Sequence, residues 1–221
     1  KDRTTGTTTL VSTDSAGVQG NVSSDTPSVS GDGRYVAFRS YASNMVIGDT
    51  NGTYDIFVKD LQTGITTRLS TDSAGAQGDG FSDTPSISND GRYVAFRSSA
   101  SNLVSGDTNG RYDIFVKDLQ TGATTRVSAS NVGVQGNDHS SDPVLSGDGR
   151  FVTFEGNASN LHPYDSNTTS DVFRVANPIA PTDLALSPSS VLENQPIGTT
   201  VGVLSSTDPN LPDDYHTYAL V

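Results

Sequence analysis

One block of sequence returns at a fixed interval, and this restricts the fold to a stack or ring of like units. Gly33-Arg34-Tyr35-Val36-Ala37-Phe38-Arg39-Ser40 recurs unchanged at 91–98, and a looser copy, Gly149-Arg150-Phe151-Val152-Thr153-Phe154, follows; both steps are 58 residues. Tyr54-Asp55-Ile56-Phe57-Val58-Lys59-Asp60-Leu61-Gln62-Thr63-Gly64 recurs at 112–122 with the same spacing. Its third copy is reduced to Asp171-Val172-Phe173-Arg174-Val175.

Each unit reads as four strands. Pro27-Ser28-Val29-Ser30 is a short first strand, and Gly31-Asp32-Gly33 turns the chain. The second strand, 35–40, places Tyr35, Ala37 and Arg39 on one face and Val36, Phe38 and Ser40 on the other. A long loop leads to a third strand at 55–61, and Gln62-Thr63-Gly64 turns into a fourth at 66–70. Alternation of period two, punctuated by Asp-Gly and Thr-Gly, is the pattern of half-buried strands joined by hairpins. Four strands per repeat predicts a propeller blade. The predicted units are a first blade at 13–70, a second at 71–128 and a degenerate third at 129–176. Residues 1–12 match 59–70, so they read as the end of a preceding blade or a ring-closing strand. Known propellers close with about 4–8 blades. Further blades, or a second copy of the chain, must complete a ring.

Composition agrees with an all-β fold. Only 33% of the 221 residues are hydrophobic, and Gly, Ser, Thr, Asp and Asn supply tight turns and side-chain-to-backbone hydrogen bonds. The runs of Ala, Leu, Glu and Lys that long helices need do not occur.

The run Ser-Asp-Thr-Pro-Ser-x-Ser-x-Asp-Gly-Arg-Tyr-Val-Ala-Phe, at 24–38 and 82–96, resembles the TolB-type propeller repeat. That family places a Pro-Ser-x-Ser-x-Asp-Gly strand and turn before an aromatic-ended strand, with an Asp-Ile-Phe-Val-x-Asp strand after it. The resemblance covers roughly 1–176, and the loop between the two strands is longer than in the usual short version. It implies a propeller made of four-stranded blades.

The tail differs in character. Asn177-Pro178-Ile179-Ala180-Pro181 is a proline-rich linker. Residues 182–221, with Val191-Leu192-Glu193-Asn194 and Thr207-Asp208-Pro209-Asn210, are similar to the first half of a bacterial cadherin-like repeat, a β-sandwich. The resemblance implies that Glu193 and Asp208 are calcium ligands between adjacent domains; Asn210 stands where aspartate is common. So short a segment does not bury a core alone, so it is completed by further sequence or by a neighbour.

The formal net charge is −12, with a pI near 4.3. An acidic surface repels phosphate backbones, which argues against nucleic-acid binding, while acidic loops attract divalent cations. There is no cysteine. A secreted eukaryotic protein would be expected to carry disulfides, so their absence fits a bacterial exported protein. No apolar run approaches the roughly 20 residues of a membrane span. The chain begins at Lys1, and the expectation is a piece of a longer chain whose export signal lies elsewhere.

The clearest constellation is the loop Gly48-Asp49-Thr50-Asn51-Gly52-Thr53-Tyr54-Asp55, repeated from Gly106 to Asp113. Asp49, Asn51 and Asp55, and likewise Asp107, Asn109 and Asp113, occupy positions 1, 3 and 7 of a partial Ca2+ loop, where alternate residues aim oxygens at one centre. Thr53 and Arg111 stand where such loops carry a third acid. The third copy, Asp165, Asn167 and Asp171, keeps the oxygens and loses the glycine and tyrosine. Two readings stand: Ca2+ ligands, or a turn in which Asp and Asn bond their own backbone. Asp25, Asp83 and Asp142 read as turn caps, and Arg34, Arg92, Arg150, Arg39 and Arg97 as their ion-pair partners between blades.

The parts of an enzyme are scarce. His139, His162 and His216 share no repeat position, and no His-Glu-x-x-His or Gly-x-Ser-x-Gly occurs. The sequence therefore points first to a non-catalytic extracellular structural or adhesive protein, secreted or on the cell surface. In that reading it is stabilised by calcium and its partners are other copies of itself or neighbouring domains, up to a self-assembling filament. A second reading is a carbohydrate- or peptide-binding propeller that meets surface glycans or proteins through Tyr41, Tyr54 and Tyr112. A third is an accessory propeller of a larger secreted enzyme.

Overall fold

The computed structural model describes residues 6–167 and 169–180, and the backbone of 183–187 and 203–207. These residues are all-β, with no helix among them. The chain divides into two compact units, Lys1–Asn177 and Pro178–Val221.

The first unit holds three antiparallel sheets of the propeller-blade type. The first contains β1 (Ser24–Val29), β2 (Tyr35–Ser40), β3 (Asp55–Asp60) and β4 (Thr66–Arg68), side by side in chain order. The second repeats the arrangement with β5 (Ser82–Ile87), β6 (Tyr93–Ser98), β7 (Asp113–Asp118) and β8 (Thr124–Arg126). The third has β9 (Ser140–Leu145), β10 (Phe151–Gly156) and β11 (Asp171–Ala176), in the order β11-β10-β9. The 58-residue period is thus one blade. In the second unit, β12 (Asp183–Ser187) pairs antiparallel with β13 (Val203–Thr207). Glu193 and Asp208 lie outside the described residues.

The first strand of each blade starts earlier than the sequence suggested, at Ser24 rather than Pro27. Proline removes a ladder donor, so a strand tolerates it only at an edge or a bulge. Both conditions hold here. β1 is an edge strand, and the register slips between Asp25 and Ser28 and again between Asp83 and Ser86. Thr26 and Thr84 sit at these slips, and Asp142 at the matching slip between β9 and β10, with φ of 47°, 46° and 49°. The turn after β1 is set by side chains: Tyr35 N–H donates to Ser30 Oγ at 2.9 Å and Arg34 N–H to Asp32 Oδ1 at 2.9 Å.

Pairing of β2 with β3 sets Phe38 opposite Phe57 and Ala37 opposite Val58. The phenylalanine rings stack at 6.0 Å, and the pairs Phe96–Phe115 and Phe154–Phe173 repeat this at 5.9 and 5.6 Å. The core runs between blades as well as within them. Ile56, Val58 and Leu69 of the first blade pack with Ile87, Phe96, Ala100 and Leu103 of the second. Each fully buried aliphatic side chain of this kind contributes roughly 1.5–3 kcal/mol. Tyr35 lies over the next blade's turn so closely that a Cβ on Gly91 would meet its ring at 2.2 Å.

Candidate functional site

The repeated acidic loops lie at the joints between blades. Asp55 opens β3 and is buried; Asp49 and Asn51 precede it in the loop from β2. Asn51 forms a local turn, its Oδ1 accepting from Thr53 N–H at 3.1 Å. Its amide group donates to Asp55 Oδ2 at 3.1 Å and to the Gly78 carbonyl, on the following repeat, at 2.9 Å. Ser70 Oγ donates to Asp55 Oδ1 and accepts from Ile56 N–H.

Gln77 completes the arrangement from the following repeat. Its Nε2 donates to Asp49 Oδ1 at 2.8 Å and to Asp55 Oδ2 at 3.0 Å. Its Oε1 accepts from Thr50 N–H and Oγ1, both at 3.2 Å. The next joint repeats this. Gln135 Nε2 donates to Asp107 Oδ1 at 2.8 Å and to Asp113 Oδ2 at 2.9 Å, and Asn109 donates to the Gly136 carbonyl at 2.8 Å. Arg68 and Arg126 stand 3.6 and 3.8 Å from Asp49 and Asp107. Burial pushes the Asp55 and Asp113 carboxyls above the ordinary carboxylate range, with the Ser and Gln hydrogen bonds opposing it.

This donor set fits a hydrogen-bonded clasp better than a Ca2+ shell. The glutamine amide lies between the two carboxylates, where a shared cation would have to sit. Both Asp55 oxygens and Asp49 Oδ1 already accept from N–H and O–H groups. Among the described residues, no three acidic or histidine side chains converge as a metal site. The structure brings Asp49, Asn51 and Asp55 together, and likewise Asp107, Asn109 and Asp113. In the third copy, Asn167 donates to Asp171 Oδ2 at 3.3 Å, and Asp165 accepts from Asn167 N–H at 3.4 Å. That copy lines an open notch of about 390 Å³ with Asp165, Asn167, Asp171 and Phe173.

The glutamine is the functional residue that the loop pattern did not reveal. Its signal was present: Gln19-Gly20, Gln77-Gly78 and Gln135-Gly136 keep the 58-residue spacing through all three repeats.

A second buried cation binds the blade internally. Lys117 Nζ donates to Thr71 Oγ1, the Asp72 carbonyl and Thr124 Oγ1, each at 2.9 Å, and Lys59 is held in the same way. Burial pulls the Lys117 ammonium down to about 8. The arginines divide into two roles. Arg34 and Arg92 pair with Asp60 and Asp118 of their own blade, rather than with Asp25 or Asp83, and Arg34 holds the Asp60 carboxyl far below its ordinary range. Arg39 and Arg97 pair with Asp25 and Asp83, and Arg39 also reaches Asp83 across the joint at 3.5 Å.

One face carries a ladder of rings. Tyr41, Tyr54, Phe81, Tyr112 and His139 follow one another at centroid spacings of 5.3, 5.6, 6.1 and 5.3 Å. Arg39 lies over Tyr54 and Arg97 over Tyr112. His139 Nδ1 accepts from Tyr112 N–H at 3.0 Å, which gives this histidine a structural place.

No family model matches the sequence, and no curated protein matches it. Among solved structures, the chain is similar to TolB from Acinetobacter baumannii, at 22% identity and a TM-score of 0.43 over 70% of this chain. It is similar to a putative TolB from Agrobacterium tumefaciens at 21% identity and a TM-score of 0.46 over 71% of this chain, and to the tricorn protease at 17% and 0.42 over 71%. The chain spans 30%, 47% and 14% of the lengths of those three proteins.

Proposed function

We propose that this chain is a non-catalytic structural module of an exported repeat protein, in which propeller blades form a rigid extracellular scaffold. The observation that carries this reading is the clasp. Gln77 and Gln135 each tie two carboxylates of the preceding blade, with the same atoms at both joints. The most heavily repeated polar groups of the chain are thus spent on joining blades. Lys59, Lys117 and the arginine–aspartate pairs are likewise engaged in the protein's own structure. Half-satisfied buried carboxylates are costly, so the clasps make each joint specific as well as stable. Of the loop residues first read as Ca2+ ligands, Asp49, Asp55, Asp107 and Asp113 serve in this scaffold as clasp acceptors, and Asn51 and Asn109 donate across the joint. The test is chemical denaturation of Gln77→Ala and Gln135→Ala. A matching loss of stability in both supports the scaffold; no loss in either overturns it.

The ring ladder favours a second reading, a ligand-binding face for carbohydrate or peptide. Tyr41 is exposed and leads a continuous aromatic row. Arg39 and Arg97 cover two of the rings, which ranks this reading second. Binding on a glycan array that is lost in Tyr41→Ala, with stability unchanged, would raise it to first.

A further inference from the structure

We propose that Asn51 and Asn109 are sites of spontaneous deamidation that the clasp holds back, so that a joint that opens is marked irreversibly by the loss of its bridging amide. The consequence rests on the scaffold reading above; the chemistry rests on the clasp geometry.

The sequence has Asn-Gly at 51–52 and at 109–110 and nowhere else, and both asparagines are clasp donors. Asparagine before glycine is reactive because glycine has no Cβ to shield its nitrogen. That nitrogen attacks the asparagine Cγ. A new N–C bond closes a cyclic imide, the bond from Cγ to Nδ2 breaks, and ammonia leaves with the proton of the glycine amide. Water then adds to either imide carbonyl and opens the ring. The product is aspartate, or its isomer linked through the side chain. Water enters, ammonia departs, and nothing is oxidised or reduced. Gly52 and Gly110 are exposed, so water reaches both sites.

The hold on the side-chain amide opposes this reaction. Asn51 Nδ2 donates to Asp55 Oδ2 at 3.1 Å and to the Gly78 carbonyl at 2.9 Å, while Oδ1 accepts from Thr53 N–H at 3.1 Å. Expelling Nδ2 as ammonia breaks both of its bonds. The bond to Gly78 exists only while the following repeat stays docked. The second joint is looser. Asn109 Nδ2 lies 3.5 Å from Asp113 Oδ2, at the limit of a hydrogen bond, and 2.8 Å from the Gly136 carbonyl. Thr50 bonds Gln77 through both its N–H and its hydroxyl, and Thr108 bonds Gln135 through its N–H at 3.3 Å. Asn109 is therefore the faster site.

The third copy is a control within the same chain. Asn167 makes the same local turn, accepting from Thr169 N–H at 2.7 Å, but Thr168 follows it. A β-branched side chain shields the nitrogen that must attack.

Deamidation reverses the sense of the joint. A carboxylate at position 51 faces the Asp55 carboxylate and the Gly78 carbonyl, two acceptors that the amide had served as a donor. It also adds a third negative charge beside Asp49 and Asp55. Acceptors left without donors make such a joint costly to close again. A closed joint preserves its own amide, and an opened one loses it for good.

The test follows the whole chain at mildly alkaline pH, folded and in guanidinium chloride, by peptide mass mapping. In denaturant Asn51 and Asn109 should lose ammonia at similar rates. In the folded chain each should react on the order of 10- to 100-fold more slowly, because two hydrogen bonds must break first, with Asn109 ahead of Asn51. Asn167 should stay intact in both conditions. Gln77→Ala, which loosens the first joint alone, should speed the reaction at Asn51 and leave Asn109 unchanged. Asn51→Asp should lower the urea midpoint, as should ageing in denaturant before refolding. Equal rates in folded and unfolded chain, loss at Asn167 that keeps pace, or an aged chain with the midpoint of a fresh one overturns the proposal. Unchanged stability in Gln77→Ala and Gln135→Ala would overturn the scaffold, while the protection of the two asparagines by folding is read separately, so the two failures are distinguishable.

Discussion

Gln77 and Asp55 belong to different repeats, yet the glutamine Nε2 lies 3.0 Å from the aspartate Oδ2, and Gln135 stands in the same relation to Asp113 at 2.9 Å. Removing the amide leaves a buried carboxylate short of a donor. Gln77→Ala should lower stability by about 1–3 kcal/mol, read from urea denaturation, and Gln77→Glu should cost more because it adds a third negative charge to the cluster.

The same geometry sets the response to metal ions. Asp107 Oδ1 and both Asp113 oxygens already accept from amides and a hydroxyl, so Asp107→Ala should shift the thermal midpoint by the same amount in EDTA, in millimolar calcium and in magnesium. A shift that grows only in calcium would show that the ion displaces the glutamine.

Lys117 gives a pH dependence of known sign. Its folded-state value is drawn down to about 8 from an ordinary 10.5. The unfolded chain therefore binds more protons between these two values, and stability rises with pH across that window. Below pH 8 the burial penalty is present in full. Comparison of urea midpoints at pH 7.5 and pH 10 should show the wild type gaining on Lys117→Met.

Gly33 and Gly91 are a matched pair for testing contact between blades. Their φ angles are both 74°, but only Gly91 has a ring against it. Gly33→Ala should cost about 1–2 kcal/mol for the left-handed backbone alone. Gly91→Ala should cost a further ~1–3 kcal/mol for the collision with Tyr35.

Thr84 holds a β-branched side chain at φ 46°. Such residues are disfavoured there, and asparagine is tolerated. Thr84→Asn should raise stability by up to about 1 kcal/mol, seen as a higher thermal midpoint.

The strands and turns were legible because their signal is local. Period-two alternation in Tyr35–Ser40 and Asp55–Asp60 and the glycine at the turn each state their conformation within a few residues. The clasp was half legible. Asp49, Asn51 and Asp55 are short oxygen-bearing residues, and a calcium loop and an amide clasp both require these at such spacing. What separates the two is Gln77, which lies 22 residues beyond Asp55 and reaches it only once two blades stack. The arginines show the same limit: both looked equally placed to bridge blades, but Arg34 bonds Asp60 within its own blade, while Arg39 bonds Asp25 and also reaches Asp83 across the joint.

The clasps at the two internal joints use the same residue types, so the clasp by itself does not distinguish one joint from the other. Duplicating the second 58-residue unit leaves each clasp with its glutamine and its two carboxylates. Blades can therefore be added in whole 58-residue steps with no change in the residues of the clasp.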